Sequence, residues 1–341
     1  MRSLPAARQF ARILILLLCS IAALSDFFSP SPAEEQDLNL FFAPPSRIHF
    51  VDAQGTWHLR PFTYRLELVN ALDVVYEERL DSPSPLRFLC EGYSYRLLGL
   101  IPTSLHLICG ESFHLLGTDD LGRDVLARVL AGARTSLLIV LSGIFLYAVL
   151  GLTIGALAGT LGGLADVSLM RVSEFVLALP VLYLILALRA VLPLRLTYWQ
   201  TVMLTIGVIA GVAWPPLARG VRGLILQTRS SGYVEAARAV GCTRWRIFRR
   251  HVLPALPSFV AAQAAVAAPV FLLGEIVLSF LDVGFRDSGE SWGSMLRNLT
   301  NPRVLTEFWW NLTPLVLVFT TLLCLNLLSS QFQSREDAAR I

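Results

Sequence analysis

Four long stretches of the chain contain no acidic or basic residue. A helix needs about 20 mostly apolar residues to cross the hydrocarbon core of a bilayer. Each of the four stretches is longer than this, so each is predicted to contain a transmembrane helix. The stretches are residues 135–165, 196–218, 252–274 and 308–334.

Two weaker apolar stretches bring the predicted number of spans to six. Residues 10–25 include the run ILILLL and are predicted to form transmembrane helix 1. Residues 172–188 are apolar except for Glu174 near one end. The first stretch also suits the apolar core of a cleaved signal peptide, because arginines precede it. No clean cleavage site of small residues follows, so a retained helix is the favoured interpretation.

The distribution of arginine sets the expected orientation, because short basic loops stay on the cytoplasmic side of a membrane. The N-terminal stretch carries three arginines and no acid before Asp26, and residues 219–250 carry eight arginines against one acid. Both segments are therefore expected in the cytoplasm. With six spans, the terminal segments 1–9 and 331–341 are then cytoplasmic, and the long segment 26–116 is extracytoplasmic.

Within this extracytoplasmic segment, residues from about 46 to 116 have the pattern of a small β-rich insertion. Alternating residues flank a short turn at 52–55, which is typical of a β-hairpin. Two further runs, at 86–100 and 104–117, are rich in apolar and aromatic residues and are interrupted by glycine. An insertion of about 70 residues has a marginal size for independent stability.

Cys90 and Cys109 both lie in the β-rich insertion and form a candidate disulfide. An extracytoplasmic compartment lets disulfides persist, and a bridge would stabilise so small a core. The alternative is a pair of buried thiols. The other three cysteines fall in predicted spans or on the cytoplasmic side and are expected to be reduced.

Residues 117–134 are predicted to form an amphipathic helix along the outer membrane interface. Thr118 or Asp119 can cap its start, with acidic residues in the first turn. Residues 135–330 are predicted to hold the other five transmembrane helices. The predicted fold class is therefore an all-α polytopic membrane protein with six transmembrane helices and a small β-rich extracytoplasmic insertion.

Composition supports a membrane protein and excludes several functions. The chain is 55% hydrophobic and 16% charged, with a mean hydropathy of +0.60, unlike an ordinary soluble domain. All 28 basic residues are arginine, so there is no lysine for a phosphate-binding Walker loop. A net charge of +3 gives no basis for nucleic-acid binding. The sequence also lacks His-Glu-x-x-His and Cys-x-x-Cys metal motifs, and the predicted spans hold too few Ser, His and Asp residues for an intramembrane enzyme.

In the second half of the chain, the strongly charged stretch between long apolar stretches is residues 235–254, within the loop 219–254. In the middle of this loop, apolar residues recur at helical spacing, and the residues at 236, 237, 239 and 241 are small. A basic helix can bind anionic lipid, but small residues also permit close docking into a pocket of a partner protein. Gly241 is expected to end this helix, and a second helix at Thr243–His251 is expected to complete a hairpin.

Several motifs in this half of the chain are similar to one transporter family. Residues 235–241 read EAARAVG and residues 251–254 read HVLP, a pair that resembles the EAA loop of ABC-transporter permeases. The runs LGTDDLGRDVLARVLAGARTSL, GGLADVSLMRVSEFVLALP and GEIVLSFLDVGFRDSGESWGSML resemble the C-type subunit of the dipeptide, oligopeptide and nickel branch. Together the matches cover most of residues 115–330.

The resemblance implies that residues 135–330 form a permease core and that the cytoplasmic loop 219–254 couples this core to an ATPase. In the family, a coupling helix in this loop docks into a cleft on the ATPase subunit. The ATPase-coupling residues would be Glu235, Ala236, Ala237, Val240 and Gly241.

The resemblance also implies an importer in the bacterial cytoplasmic (inner) membrane. Its expected partners are the lipid bilayer, a second permease subunit, one or two ABC ATPase subunits and an extracytoplasmic solute-binding protein. This chain would be a non-catalytic subunit that binds no cofactor or metal, and ATP and Mg²⁺ would bind to the ATPase. The expected substrates are di- or oligopeptides, or a related small solute such as nickel.

Four further positions have specific expectations. Glu275 is a candidate pathway residue, because ionisable groups within a membrane tend to face a cavity, although it could instead be hydrated near the outer interface. Arg171 and Glu174, one turn apart, are expected to pair with each other or with the ATPase. Asp282 stands where the family usually has glycine, which is a departure at the outer end of the fifth span.

The alternative function is a stand-alone secondary transporter or channel with a lipid-binding basic loop. Such a carrier is typically built from repeated halves with paired broken helices. The sequence contains no such repeat, and the importer is therefore favoured.

Overall fold

The computed structural model describes residues 4–340 of the chain apart from short gaps. Most of the described residues are helical, and the strands lie between residues 49 and 109. The residues outside the description are 1–3, 98, 112, 181–182, 185–186, 188–189, 192–195, 244–245, 247, 282, 284, 286–288 and 341.

The described elements are helices and strands in the following chain order, with short 3₁₀ turns between some of them. They are α1 (Leu4–Ala23), α2 (Ser25–Phe28), β1 (His49–Val51), β2 (Trp57–Asn70), β3 (Val75–Pro85), β4 (Arg87–Leu97), β5 (Ile101–Cys109), α3 (Val125–Leu161), α4 (Gly163–Ala178), α5 (Tyr198–Arg229), α6 (Gly232–Ala239), α7 (Leu256–Phe280), α8 (Trp292–Leu296), α9 (Pro302–Glu307) and α10 (Thr313–Arg340).

Four helical segments among the described residues are long and apolar enough to cross a membrane. Each of them contains most of one uncharged stretch of the sequence. This is the pattern of a polytopic membrane protein. The segments are Val125–Leu161, Tyr198–Arg229, Leu256–Phe280 and Trp309–Gln331.

The two weaker predicted spans are less complete. The apolar part of α1, Gln9–Ala23, is shorter than the four long segments. Helix α4 ends at Ala178, and several residues of the predicted span at 172–188 lie outside the described part of the chain. The count of six spans therefore stays a prediction.

The chain divides into two compact units. Unit 1 consists of Met1–Arg12, Leu138–Gly284 and Leu322–Ile341, and unit 2 consists of Ile13–Leu137 and Phe285–Thr321. All five described strands belong to unit 2.

Unit 2 contains two antiparallel sheets, one with strand order β1-β2-β3 and one formed by β4 and β5. The turn between β1 and β2 forms because Asp52 Oδ1 accepts hydrogen bonds from the backbone N–H groups of Gln54 and Thr56, at 3.0 and 2.8 Å. Gly55 completes the turn with a φ of +83°. A hydrogen bond with the His58 ring lowers the pKa of the Asp52 carboxyl.

The sequence does not predict strand β3, because its charged residues interrupt the alternation of apolar and polar positions. It is held by pairing with β2, where Leu68 lies opposite Tyr76. The Tyr76 hydroxyl also donates a hydrogen bond to the backbone oxygen of Phe41, at 2.7 Å. Burial and the negative charge of Asp37 raise the pKa of Tyr76 to about 12.

The second sheet is fixed by a disulfide and a buried histidine. Cys90 and Cys109 are joined, with their Cα atoms 6.2 Å apart. His106 is buried, and its Nδ1 atom lies 2.9 Å from the backbone oxygen of Asp26 while its Nε2 atom lies 2.9 Å from that of Tyr93. These contacts tie the β4–β5 hairpin to the segment that follows α1.

The prediction of a separate amphipathic helix at 117–134 is wrong in two respects. The helix starts later than predicted, and it continues without a break into the next span. Residues 117–124 form a turn, and α3 runs without a break from Val125 to Leu161. Asp119 accepts hydrogen bonds from backbone N–H groups within the turn. The cap of the helix is instead Asp124, whose Oδ1 atom accepts from the Ala127 N–H at 2.8 Å.

Four charged side chains pair in the interior of unit 2. Arg128 contacts both Asp119 and Glu290, the latter at 2.6 Å. Arg123 binds the same two acids, at 2.9 and 3.4 Å. Buried charges destabilise a fold unless they are paired and hydrogen-bonded. The cluster therefore fixes the turn before α3 to the chain that leads into α8.

An apolar cluster lies in the same unit and involves the first two turns of α3. The indole N–H of Trp292 donates to the backbone oxygen of Val129 at 3.1 Å, and that of Trp310 donates to the backbone oxygen of Thr118 at 2.9 Å. The buried members of the cluster are Val125, Val129, Met295, Val304, Phe308 and Trp310.

In unit 1, α3 packs closely on α5 through three glycines spaced four residues apart. A Cβ atom added at Gly151 would lie 2.5 Å from the Leu217 side chain, and one at Gly159 would lie 2.9 Å from Ile225 Cβ. At Gly155 it would meet the backbone oxygen of Ala218. Larger residues at these positions would therefore force the two helices apart.

The disulfide generates a stability prediction for unit 2. Replacing Cys90 and Cys109 together by Ser should lower the free energy of unfolding by about 2–4 kcal/mol, because the reduced chain has more freedom when unfolded. Thermal unfolding in detergent measures the change, with Cys242→Ser, a free cysteine of unit 1, as the control. Non-reduced peptide mapping should show one linked pair; free thiols at both positions would contradict the bridge.

Candidate functional site

The candidate docking helix is α6, which follows the long helix α5 after only two residues. Ser231 joins the two helices, because its hydroxyl donates to the Thr228 backbone oxygen at 2.6 Å and its own backbone oxygen accepts from Glu235 N–H at 3.1 Å. Val234 is fully buried and anchors the helix to its unit. The two helices are therefore joined by a short, hydrogen-bonded link.

The exposed side of α6 carries the residues singled out in the sequence. Glu235 and Ala236 are exposed, and the side chain of Val240 is 85% exposed. The Val240 N–H donates to the Ala236 backbone oxygen, so these two residues lie one turn apart on the same face. The backbone of Ala237 belongs to the same helix.

Gly241 ends this segment in a conformation that other residues rarely adopt. Its φ is +85°, and a Cβ atom added there would have no neighbour within 4 Å in this chain. The constraint is thus in the backbone, since β-branched and bulky residues strongly disfavour positive φ. The predicted bend at Gly241 is present.

The second helix expected at Thr243–His251 falls partly on residues 244, 245 and 247, which lie outside the described residues. Arg246 is helical, and Phe248–Val252 form a π-helix followed by a 3₁₀ turn at Leu253–Ala255. Pro254 removes a backbone donor near the junction, which disfavours a regular helix there.

Sequence reasoning missed the partners of the basic residues on α5. Arg222 donates to both carboxylate oxygens of Asp166, at 2.5 and 2.6 Å. These hydrogen bonds lower the pKa of the Asp166 carboxyl. The only signal in the sequence is a lone acid between two apolar stretches, and such a residue does not reveal its partner.

The other candidate residues have definite positions in unit 1. Glu275 is fully buried in α7 and accepts a hydrogen bond from the Ser279 hydroxyl at 2.9 Å. Arg171 and Glu174 pair with each other at 2.9 Å and are both exposed, which confirms their predicted pairing. Asp282 lies outside the described residues.

The described residues contain no group of three or more His, Cys, Asp or Glu side chains placed to hold a metal ion. The candidate site consists of an exposed short helix, a buried anchor and a glycine bend.

Comparison with known proteins gives consistent relatives. The chain is 30% identical over 250 residues to the oligopeptide transport system permease protein OppC of Haemophilus influenzae, covering 73% of this chain and 76% of that protein. It is 32% identical over 225 residues to the dipeptide transport system permease protein DppC of Bacillus subtilis, covering 66% and 68%. It is 33% identical over 228 residues to the probable D,D-dipeptide transport system permease protein DdpC of Escherichia coli, covering 67% and 74%.

A family model described as binding-protein-dependent transport system inner membrane component matches residues 151–337. The matched region contains the docking helix α6, Gly241 and three of the four long apolar segments in full. The strands at 49–109 lie outside it. The chain belongs to the family of binding-protein-dependent transport system inner membrane components.

Proposed function

We propose that this chain is the C-type permease subunit of an ATP-driven ABC importer of di- or oligopeptides, or of a related small solute such as nickel. The observation that carries the proposal is the exposed helix α6 with its glycine bend, inside the region that matches the family. The relatives named for peptide transport support the substrate class.

The coupling surface consists of one face of α6 and the bend that follows. Val240 supplies an apolar contact, the alanines let the partner approach closely, and Glu235 is the acid available to pair with a base on the ATPase. Val234 holds the helix in place from its buried side. Closure of the ATPase subunits on ATP would push on this surface, and the two-residue link to α5 would carry the motion into the membrane. The residues proposed for coupling are Glu235, Ala236, Ala237, Val240 and Gly241.

The remaining parts of the complex follow from this role. The chain would work with a second permease subunit, one or two ATPases and an extracytoplasmic solute-binding protein. ATP and Mg²⁺ would bind to the ATPase, and this chain would be non-catalytic and bind no cofactor. With six spans both termini and the loop 219–254 are cytoplasmic, whereas the strand-bearing segment is extracytoplasmic.

Glu275 is the proposed pathway residue. Its burial and its hydrogen bond to Ser279 place a carboxylate inside a membrane helix, where such groups usually serve transport. Tilting of α7 during the cycle would bring this carboxylate to the pathway, where it would meet the amine of a substrate.

Substitution at Gly241 tests the docking surface. Gly241→Val should abolish uptake and recovery of the ATPase with the tagged chain, because valine resists a φ of +85°. Gly232→Val is the matched control: Gly232 begins the same helix, has no positive φ and has open space around it. Membrane insertion should be normal in both. If Gly241→Val still transports and retains its ATPase, the segment is a lipid anchor and the proposal fails.

Thiol labelling tests the orientation in a parent that lacks the free cysteines at 19, 242 and 324. Leu72→Cys, at a position 85% exposed, should react with an impermeant reagent in spheroplasts. Ser230→Cys should react only after the membrane is made permeable, because arginine-rich loops stay inside. Reaction at position 230 from outside would reverse the orientation.

Glu275→Gln tests the pathway role, since glutamine keeps the size and the hydrogen bond to Ser279 but removes the charge. Uptake of a peptide with a free amino terminus should fall relative to uptake of its acetylated form. Equal effects on both peptides, or no effect on either, would remove Glu275 from the pathway. Measurement in proteoliposomes that contain the complete transporter separates uptake from expression.

A further inference from the structure

Three arginines of α5 bind the neighbouring parts of unit 1, and we refer to Arg219, Arg222 and Arg229 as the arginine ladder. Their successive spacings of three and seven residues put them on one side of a helix with about 3.6 residues per turn. The three reach the body of α4, the first turn of α4 and the last turn of α3. This side of α5 is therefore held to both neighbouring helices.

The contacts of the ladder are well defined. Arg219 Nε donates to the buried Ser173 hydroxyl at 3.2 Å. Arg222 forms the two-pronged pair with Asp166. Arg229 Nη1 donates to the backbone oxygens of Gly159 and Thr160, at 2.7 and 3.2 Å. The last two carbonyls belong to the final turn of α3.

The arginine ladder binds polar groups that the end of a helix leaves without hydrogen-bond partners. The last carbonyls of a helix lack intrahelical donors and carry partial negative charge, which a cation stabilises. Asp166 lies in the first turn of α4, where a negative charge is favourable. Arg229 therefore caps the end of α3, and Arg222 holds the start of α4, on either side of the turn at Gly162 and Gly163.

Close packing accompanies the ladder on the same part of α5. The three glycines of α3 leave no side chain between the helix and Leu217, Ala218 and Ile225. Helices in such contact have little freedom to slide, because interiors are packed at crystal-like density. Relative motion of the two helices here would break both the backbone contact and the ladder.

We propose that Asp166 and Arg222 are positioning residues that make the inner part of α5, the end of α3 and the start of α4 move together when α6 is displaced. The proposal rests on the function proposed above, since α6 is the point where the ATPase would act. The two arginines that bind Asp166 and the α3 terminus thus serve energy coupling in addition to orientation in the membrane.

The two-pronged geometry of the Arg222 guanidinium is important for this role. Two parallel N–H···O bonds fix both distance and orientation, which a point charge on lysine does not reproduce. The side chains of Arg222 and Asp166 are 33% and 16% exposed, so the pair is partly shielded from water. The pair of Arg171 and Glu174 on the same helix α4 is exposed and stays within three residues, so it cannot join two helices.

The test uses the complete transporter in proteoliposomes and measures uptake per ATP hydrolysed. Asp166→Asn and Arg222→Lys should each lower this ratio by about fivefold or more, a typical coupling effect, while the ATPase still co-purifies and hydrolyses ATP. Arg171→Gln is the matched control and should leave the ratio unchanged. A merely structural role would instead reduce expression, hydrolysis and uptake together.

The decisive experiment replaces the ion pair by a covalent cross-link. In the parent without free cysteines, Asp166→Cys/Arg222→Cys should have a low ratio of uptake to ATP hydrolysed, and a short bismaleimide cross-linker should raise this ratio again. The exchanged pair Asp166→Arg/Arg222→Asp should recover only in part, because arginine is unfavourable in the first turn of α4. An unchanged ratio in Asp166→Asn, or no recovery on cross-linking, would overturn the proposal.

Failure of this inference can be told apart from failure of the importer assignment. The assignment fails if the unmodified chain does not recover an ATPase. The ladder fails if the ATPase is recovered normally and the ratio of uptake to hydrolysis does not depend on Asp166 or Arg222. Loss of ATPase recovery in these two variants would place the pair in docking itself and would also overturn the coupling role.

Discussion

The close contact of α3 with α5 is the constraint on which the arrangement of unit 1 depends. Three glycines in successive turns bring the two helices together at the distance of backbone contact. Only at this distance can Arg229 reach the carbonyls at the end of α3, and only a short turn then separates that end from Asp166. In a membrane, helices do not gain from leaving water, so packing and polar contacts of this kind determine how they associate.

Unit 2 depends on a different kind of interaction. Asp119, Arg123, Arg128 and Glu290 form a paired cluster that joins the turn before α3 to the chain before α8. A single unpaired member would leave a buried charge, which is strongly destabilising. The strands of the same unit form small sheets, and so small a core gives little stability by itself. The Cys90–Cys109 disulfide and the hydrogen bonds of the buried His106 stabilise it further.

The arginines of the segment 219–250 serve more than orientation. Their number predicts a cytoplasmic loop by the charge rule, and at least three of them also bind groups within unit 1. Ala236 and Val240, on one face of α6, are among the exposed residues of the segment. Buried Val234 separates the two roles, because it fixes α6 to its unit while leaving the opposite face open to a partner.

The sequence by itself determined the features that depend on local composition and spacing. The four long apolar helices, the β1–β2 turn at Asp52, the helix around Glu235 and its end at Gly241 follow from charge-free length, alternation, periodicity and a glycine. For the second arginine-rich helix the sequence did not determine the type of helix, since Arg246 is in an α-helix and Phe248–Val252 form a π-helix.

Only the tertiary structure decided which distant residues meet. Local capping rules suggest a helix that starts near Asp119. In the structure Asp119 instead accepts a hydrogen bond within its own turn and pairs with Arg128, and α3 starts at Val125. Strand β3 exists because β2 lies beside it. Asp166 meets Arg222 because the glycines of α3 let the end of that helix, which the start of α4 follows directly, lie close to α5. The physical reason is the same in each case: hydropathy and periodicity belong to one segment, whereas a salt bridge, a strand pair or a close helix contact depends on two segments whose approach the rest of the packing sets.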